Sequence, residues 1–270
     1  MGKGSGVTHP FDTLADRYDA EFTHRPLGRL LRERVRGRLA AAFTSGHHVL
    51  ELGCGTGEDA IWLAERAVRV TAVDASAAML RVAEGKVRRS GTADRITLCQ
   101  VDLATGTLPS AGDPTELFDG AFSNFGVLNC VSELSPLASA VATRLRVGAR
   151  LLVVVMGPYC PWEVIGFGVR GRFRDAFRRT VRRPSARFGD TASMPVWYYA
   201  PSAVRAAMAP WFRHVDTAGV GVLLPPTDFS GVVERWPRVF RSVAALDRSA
   251  SATAAGAWFN DHHLSVFERC

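Results

Sequence analysis

The chain has 270 residues, 47% of them hydrophobic and 22% charged, a composition that excludes an intrinsically disordered protein and allows one large domain or one with an insertion. Its 33 basic and 26 acidic residues leave a net charge of +7. That charge is local, because eight arginines fall between 157 and 200 against only Glu163, Asp175 and Asp190.

Phe11 to Asp19 opens the folded part, and Leu27, Leu30, Leu31, Val35 and Leu39 then recur on one helical face until Thr44-Ser45-Gly46. Val49 to Leu52 reads as a buried strand that runs into Gly53-Cys54-Gly55-Thr56-Gly57 and then a helix. Further strands are expected over Val68–Val73, Ile96–Val101, Leu117–Asn124 and Ala149–Met156, with helices after Ser76 and over Leu134–Leu145. Strands alternating with helices and apolar on both faces predict a parallel sheet covered on either side.

After Gly157 the rhythm breaks. Val169, Phe173, Ala176, Phe177 and Val181 have helical spacing with arginines between them, so 157–200 reads as an inserted basic and aromatic cap. Trp162, Phe167, Phe173 and Phe177 are expected to form its core, with the walls of an apolar substrate pocket as the alternative. The run from Arg170 to Arg187 reads first as a solvated face. An acidic carrier protein or an anionic membrane surface is the alternative, and nucleic acid is disfavoured. A helix over Pro201–Ala209, a strand over Phe212–Leu224 broken near Gly219 or Gly221, a helix over Val232–Ala245, a mobile small-residue stretch over Ala250–Gly256 and a strand over His262–Glu268 complete the chain. The division expected is 1–46 as a helical preface, 47–156 as a cofactor-binding core, 157–200 as the cap and 201–270 as the rest of the sheet.

Five scattered cysteines, none in a CxxC pair, suggest neither disulfides nor zinc. No run approaches the roughly 18 apolar residues that cross a bilayer, and Met1 to Gly6 carries no secretion signal. A cytoplasmic protein without stable membrane insertion is the expectation.

A glycine turn after a first strand serves both dinucleotide dehydrogenases and methyltransferases. The dehydrogenase pattern needs a third glycine where this chain has Glu58; here it falls at Gly57, and Glu51 precedes the turn by two residues. This arrangement resembles the first motif of the class I S-adenosylmethionine-dependent methyltransferases, an acidic residue, one apolar residue and GxGxG. The resemblance runs from about Asp12 to Met156 and resumes at Trp197 to Ser202, and 157–196 has no shared counterpart. It implies a Rossmann-like α/β fold with a mostly parallel seven-stranded sheet and helices on both faces, and S-adenosylmethionine as cofactor with no metal.

The resemblance also implies a cofactor set. Glu51, Gly53, Cys54, Gly55 and Gly57 would face the methionine part, and Asp74 with Ala75 the ribose, where a carboxylate can accept from two hydroxyls. Asp102 and Leu103 would face the adenine, Ser123 and Asn124 the region of the transferred methyl, and Met79 joins the cofactor set from the inner face of its helix; Tyr18 would close over the carboxylate or pack against the sheet, with Arg17 a weaker candidate for the carboxylate. Cys54 reads as a small turn filler. Methyl transfer needs chiefly alignment, with a base only if the acceptor loses a proton. His24, Asn129 and Tyr159 are the candidates for acceptor chemistry, with Glu163, Tyr198, His262 and His263 behind them. The function expected is methyl transfer to an O or N of a small molecule, a secondary metabolite by analogy. The alternatives are a lipid or quinone-precursor methyltransferase, a protein that binds the cofactor without transferring methyl, and a hydride-transferring enzyme.

Overall fold

The computed structural model describes residues 9–105, 107–113, 115–181, 185–188 and 192–270. Met1 to Gly6, Arg182 and Arg183 therefore lie outside the described residues. Pro10–Thr13, α1 (Ala15–Tyr18) and a wide turn over Asp19–Thr23 lead into α2 (Pro26–Ala42), whose buried face carries Leu27, Leu31, Val35 and Leu39. The core follows as β1 (His48–Leu52), α3 (Glu58–Ala64), β2 (Arg69–Asp74), α4 (Ala77–Ser90), β3 (Ile96–Gln100), β4 (Phe118–Ser123), α5 (Leu134–Ala142) and β5 (Leu145–Met156). Next come α6 (Pro161–Gly168), α7 (Phe173–Ala176) and a hairpin of β6 (Ser185–Phe188) with β7 (Ala192–Pro195). The chain ends with α8 (Pro201–Met208), β8 (Phe212–Val220), α9 (Ser230–Arg235), α10 (Pro237–Ser251), α11 (Ala254–Trp258) and β9 (His262–Arg269).

Seven strands form one sheet in the order β3-β2-β1-β4-β5-β9-β8. The first five are parallel, and β9 pairs antiparallel with β5 and with β8. This is the Rossmann-like α/β fold, with helices on both faces. Alternation along each strand explains the two cores. Leu50, Leu52, Leu151 and Val153 pack toward α5 and α8, whereas Val49, Val70, Leu152 and Val154 pack toward α2, α3 and α10. Strand order reverses between β1 and β4, so a crevice opens beyond their carboxyl ends.

The cap differs from the helix expected. Gly171, with φ of 70°, turns the chain between α6 and α7. Val169, Phe173, Phe177 and Val181 then point to solvent, while Arg179 is buried with its guanidinium on Glu163 and Asp261. The arginine run is therefore not uniformly a solvated face: Arg178 and Arg179 hold the cap to the core. The stretch over Ala250–Gly256 is also not a loose loop. α10 continues to Ser251, and α11 begins behind a Thr253 cap. Gly256 sits so close to β8 that a Cβ on Gly219 would meet its carbonyl oxygen at 2.3 Å. β8 runs through Gly219 and stops at Gly221, where φ is 73°.

Candidate active site

The cavity at the carboxyl ends of β1, β2 and β4 is floored by the glycine turn. Gly53 and Cys54 donate their N–H groups to the Val73 carbonyl at 2.8 and 2.9 Å, which bends the chain off β1. Gly53, Gly55 and Gly57 have φ of 78°, 52° and 76°, values that favour glycine at each position. Their surroundings differ. A Cβ on Gly53 would strike Val127 at 2.2 Å and one on Gly57 would crowd Ala83 at 3.1 Å, but nothing lies within 4 Å of one on Gly55. Gly55 faces the cavity, whereas Gly57 packs the start of α3 against α4.

Asp74, at the end of β2, accepts from Gly55 N at 2.8 Å and Ser76 N at 2.9 Å, and burial raises its carboxyl above the usual range. Asp102 accepts from Ala104 N at 2.9 Å and lines the cavity with Leu103. The N-terminal preface forms the lid side. Asp12 accepts from the Ser76 hydroxyl at 2.6 Å. Asp19 accepts from Thr56 Oγ1 at 2.7 Å and pairs with Lys86 at 2.6 Å, which clamps the wide turn to the glycine turn.

The far wall carries a charged group the sequence reading did not identify. Arg32 of α2 is buried, pairs with Asp59 and lies 5.0 Å over the Phe125 ring. Asn124 donates to the same Asp59 carboxylate at 2.9 Å. Glu51 is 2% exposed, and burial, with Asp59 nearby, pushes its carboxyl well above the usual range. Glu51 Oε2, Asn124 Oδ1 and Arg32 Nε are buried polar atoms without a hydrogen-bond partner, and all three residues line this cavity. Such orphans are costly unless a ligand meets them. Two acceptors and a cationic donor suit a zwitterionic amino acid group, so the residues present fit the methionine end of S-adenosylmethionine.

Of the cofactor set expected, Tyr18, Glu51, Gly53, Cys54, Gly55, Asp74, Ala75, Met79, Asp102, Leu103 and Asn124 line the cavity. Gly57 and Ser123 stand behind it; the Ser123 hydroxyl donates to Leu52 O at 2.8 Å and ties β4 to β1. Burial raises the Tyr18 phenol and the Cys54 thiol, which keeps both protonated. Arg17 is exposed beside Glu21.

The structure does not bring His24, Asn129 and Tyr159 to the cavity wall. His24 is on the surface, and Tyr159 is 46% exposed and packs near Phe259. Asn129 is fully buried and holds the backbone together, donating to Trp197 O at 2.6 Å and Met156 O at 3.0 Å and accepting from Met156 N at 2.8 Å. Glu163 belongs to the cap's ion cluster, and Tyr198 lies under Arg179. His262 meets the edge of Phe125, and His263 is bonded to Tyr199 O at 2.9 Å.

The histidine that does line the cavity is His9, stacked on Phe11. The signals for the missed groups were faint: Arg32 is a single arginine beside the apolar stripe of α2, and His9 precedes the first helical turn.

A family model described as a methyltransferase domain matches residues 49–148. A demethylmenaquinone methyltransferase of Thermobifida fusca (strain YX) is 30% identical over 200 residues, covering 71% of this chain and 79% of that protein. Methyltransferase GfsG of Streptomyces halstedii is 32% identical over 128 residues, 47% of this chain and 43% of that one. The solved structure of the CcbJ methyltransferase from Streptomyces caelestis superposes with a TM-score of 0.61 at 16% identity, over 97% of this chain and 98% of that one, a likeness in fold. With a relative so similar across most of both lengths, and a glycine turn that fits the cofactor's amino acid end, the chain belongs to the class I S-adenosylmethionine-dependent methyltransferases.

Proposed function

We propose that the chain moves a methyl group from S-adenosylmethionine directly onto an oxygen or nitrogen of a small acceptor of the secondary-metabolite kind. The observation that carries this reading is the trio of orphaned polar atoms on Glu51, Asn124 and Arg32 in one cavity. The ammonium of the cofactor would take the two acceptors and its carboxylate the guanidinium. Asp74 would hold the ribose hydroxyls, and Met79, Asp102 and Leu103 would frame the adenine. When bound, the cofactor supplies an electrophilic methyl on a sulfonium centre.

The remaining wall suits an apolar acceptor body. Phe11, Val127, Cys130, Val131 and Met194 all line the cavity, and their contribution is to exclude water and hold the acceptor in line. His9, which lines the same cavity, would be the base for the proton of a hydroxyl or amine. His9→Ala should lower kcat by about a hundredfold or more while leaving S-adenosylhomocysteine affinity within about twofold.

The test is calorimetric titration of S-adenosylhomocysteine, followed by methyl-labelled cofactor with a panel of phenols, amines and quinols. Label on hydroxyl or amine products supports the proposal. Stabilisation by NAD but not by S-adenosylhomocysteine would sink it. The relative named demethylmenaquinone methyltransferase favours a second reading, a quinone-precursor acceptor. Label on a quinol ring and on no phenol or amine would select that one.

A further inference from the structure

The cap carries an apolar surface that the cofactor cavity does not use. Val169 is 80% exposed, Phe173 65%, Ile165 64%, Val181 53% and Phe177 52%. Isolated exposed apolar residues are ordinary, but five on one short stretch of the cap, two of them, Ile165 and Phe177, on the wall of one groove, mark an interaction surface. Beside it lies a groove of about 410 Å³ whose walls include Tyr159, Val164, Ile165, Ala176, Phe177 and Phe259. The surface is firmly mounted. Arg178 donates to both Glu163 oxygens, at 2.9 and 2.6 Å, and to Asp228 at 2.6 Å, while Arg179 bridges Glu163 and Asp261 at 2.6 Å each.

The charge beside the apolar residues is positive. Arg172 pairs with Asp175, whereas among the described residues Arg170 and Arg174 have no ion-pair partner. A second copy of this chain would bring the same arginines against them. The apolar side chains project from two short helices and the turn between them, next to a groove walled by hydrocarbon. That arrangement suits entry among lipid chains better than the polar-rimmed face of an acidic protein.

We infer that this face of the cap docks on an anionic phospholipid membrane, with Ile165, Val169, Phe173 and Phe177 at the boundary of headgroups and acyl chains and Arg170 and Arg174 on the phosphates. The inference goes beyond the methyl-transfer reading and does not depend on the identity of the acceptor.

The experiment is co-sedimentation of the full chain, with S-adenosylhomocysteine bound, with vesicles of phosphatidylcholine alone or mixed with phosphatidylglycerol. The bound fraction should rise about tenfold with the anionic lipid and fall as salt screens the arginines. Phe173→Ser with Phe177→Ser should reduce binding about tenfold, and Arg174→Glu should remove the preference for anionic lipid. Thermal stabilisation by S-adenosylhomocysteine should be unchanged in these variants, and Leu246→Ser, on the exposed face of α10, should bind vesicles like the parent. Indifference to anionic vesicles, or equal binding by the Phe173/Phe177 variant, would overturn the inference. So would a light-scattering mass that halves in that variant while vesicles are ignored, since the face would then belong to a second copy. Cap-dependent retention on an immobilised acidic carrier protein without vesicle binding would overturn it in favour of a protein partner.

Discussion

At the residue scale, the cavity gives Glu51 and Asp74 different tasks. Asp74 already accepts two backbone N–H groups, so its oxygens are fixed in direction before a ligand arrives. Asp74→Ala should therefore weaken S-adenosylhomocysteine binding by about tenfold to a hundredfold, since two charge-assisted hydrogen bonds are lost; calorimetric affinity within a factor of two of the parent would refute the ribose assignment. Glu51 is buried with its carboxyl raised, so the free protein favours its protonated form more than a solvated carboxyl would. An arriving ammonium favours the ionised form, and binding should release a proton. Titrations in buffers of different ionisation enthalpy should show this release, and Glu51→Gln should abolish it. Glu51 and Asn124 were legible in sequence as cofactor residues, but Arg32 and the convergence of the three were not, because Arg32 meets Asp59 across 27 residues and Asn124 meets it across 65.

At the element scale, strand ends were legible because their causes are local. A buried apolar run followed by Gly53 or closed by Asp74 marks a strand end without knowledge of its neighbours, and β1, β2, β3 and β4 end within one residue of the expected place. The glycine turn was legible as a motif, but not the division of labour within it. Gly53→Ala combines a φ of 78° with a Cβ 2.2 Å from Val127, and should cost about 2–4 kcal/mol of stability. Gly55→Ala has space around it and should cost only about 1 kcal/mol, while placing its methyl in the cavity and weakening the cofactor. Urea unfolding separates the two, and adding Val127→Ala should restore part of the Gly53→Ala loss but none of the Gly55→Ala loss.

At the scale of the whole molecule, the cap was misread because spacing alone does not say which face of an amphipathic segment turns inward. Val169, Phe173, Phe177 and Val181 look like a core stripe, yet the nearest carboxylates capture Arg178 and Arg179 and turn the stripe outward, and one of those carboxylates, Asp261, lies 82 residues away in sequence from Arg179. The same junction contributes to the pH dependence of stability. Burial works to raise the Asp261 carboxyl, but His262 and Arg179 outweigh it and hold it well below the usual range. Its stabilisation is present at neutral pH and is lost only in strong acid. Next to this pair, burial lowers His263 to about 4 from the ordinary 6.5. The unfolded chain then binds a proton that the folded chain refuses between those values, so stability falls as pH drops from 6.5 toward 4, by about 3 kcal/mol if the whole shift is realised. Glu51 acts in the opposite direction, because its raised carboxyl costs stability as pH rises above 4.5. The net slope therefore mixes both, and the difference between parent and His263→Gln isolates the histidine. Urea unfolding of the two proteins at pH 7 and pH 4.5, with saturating S-adenosylhomocysteine to hold Glu51 ionised, should show a parent that loses stability in acid and a variant whose loss is smaller by about 2–3 kcal/mol. Equal losses would mean that His263 titrates like an exposed imidazole.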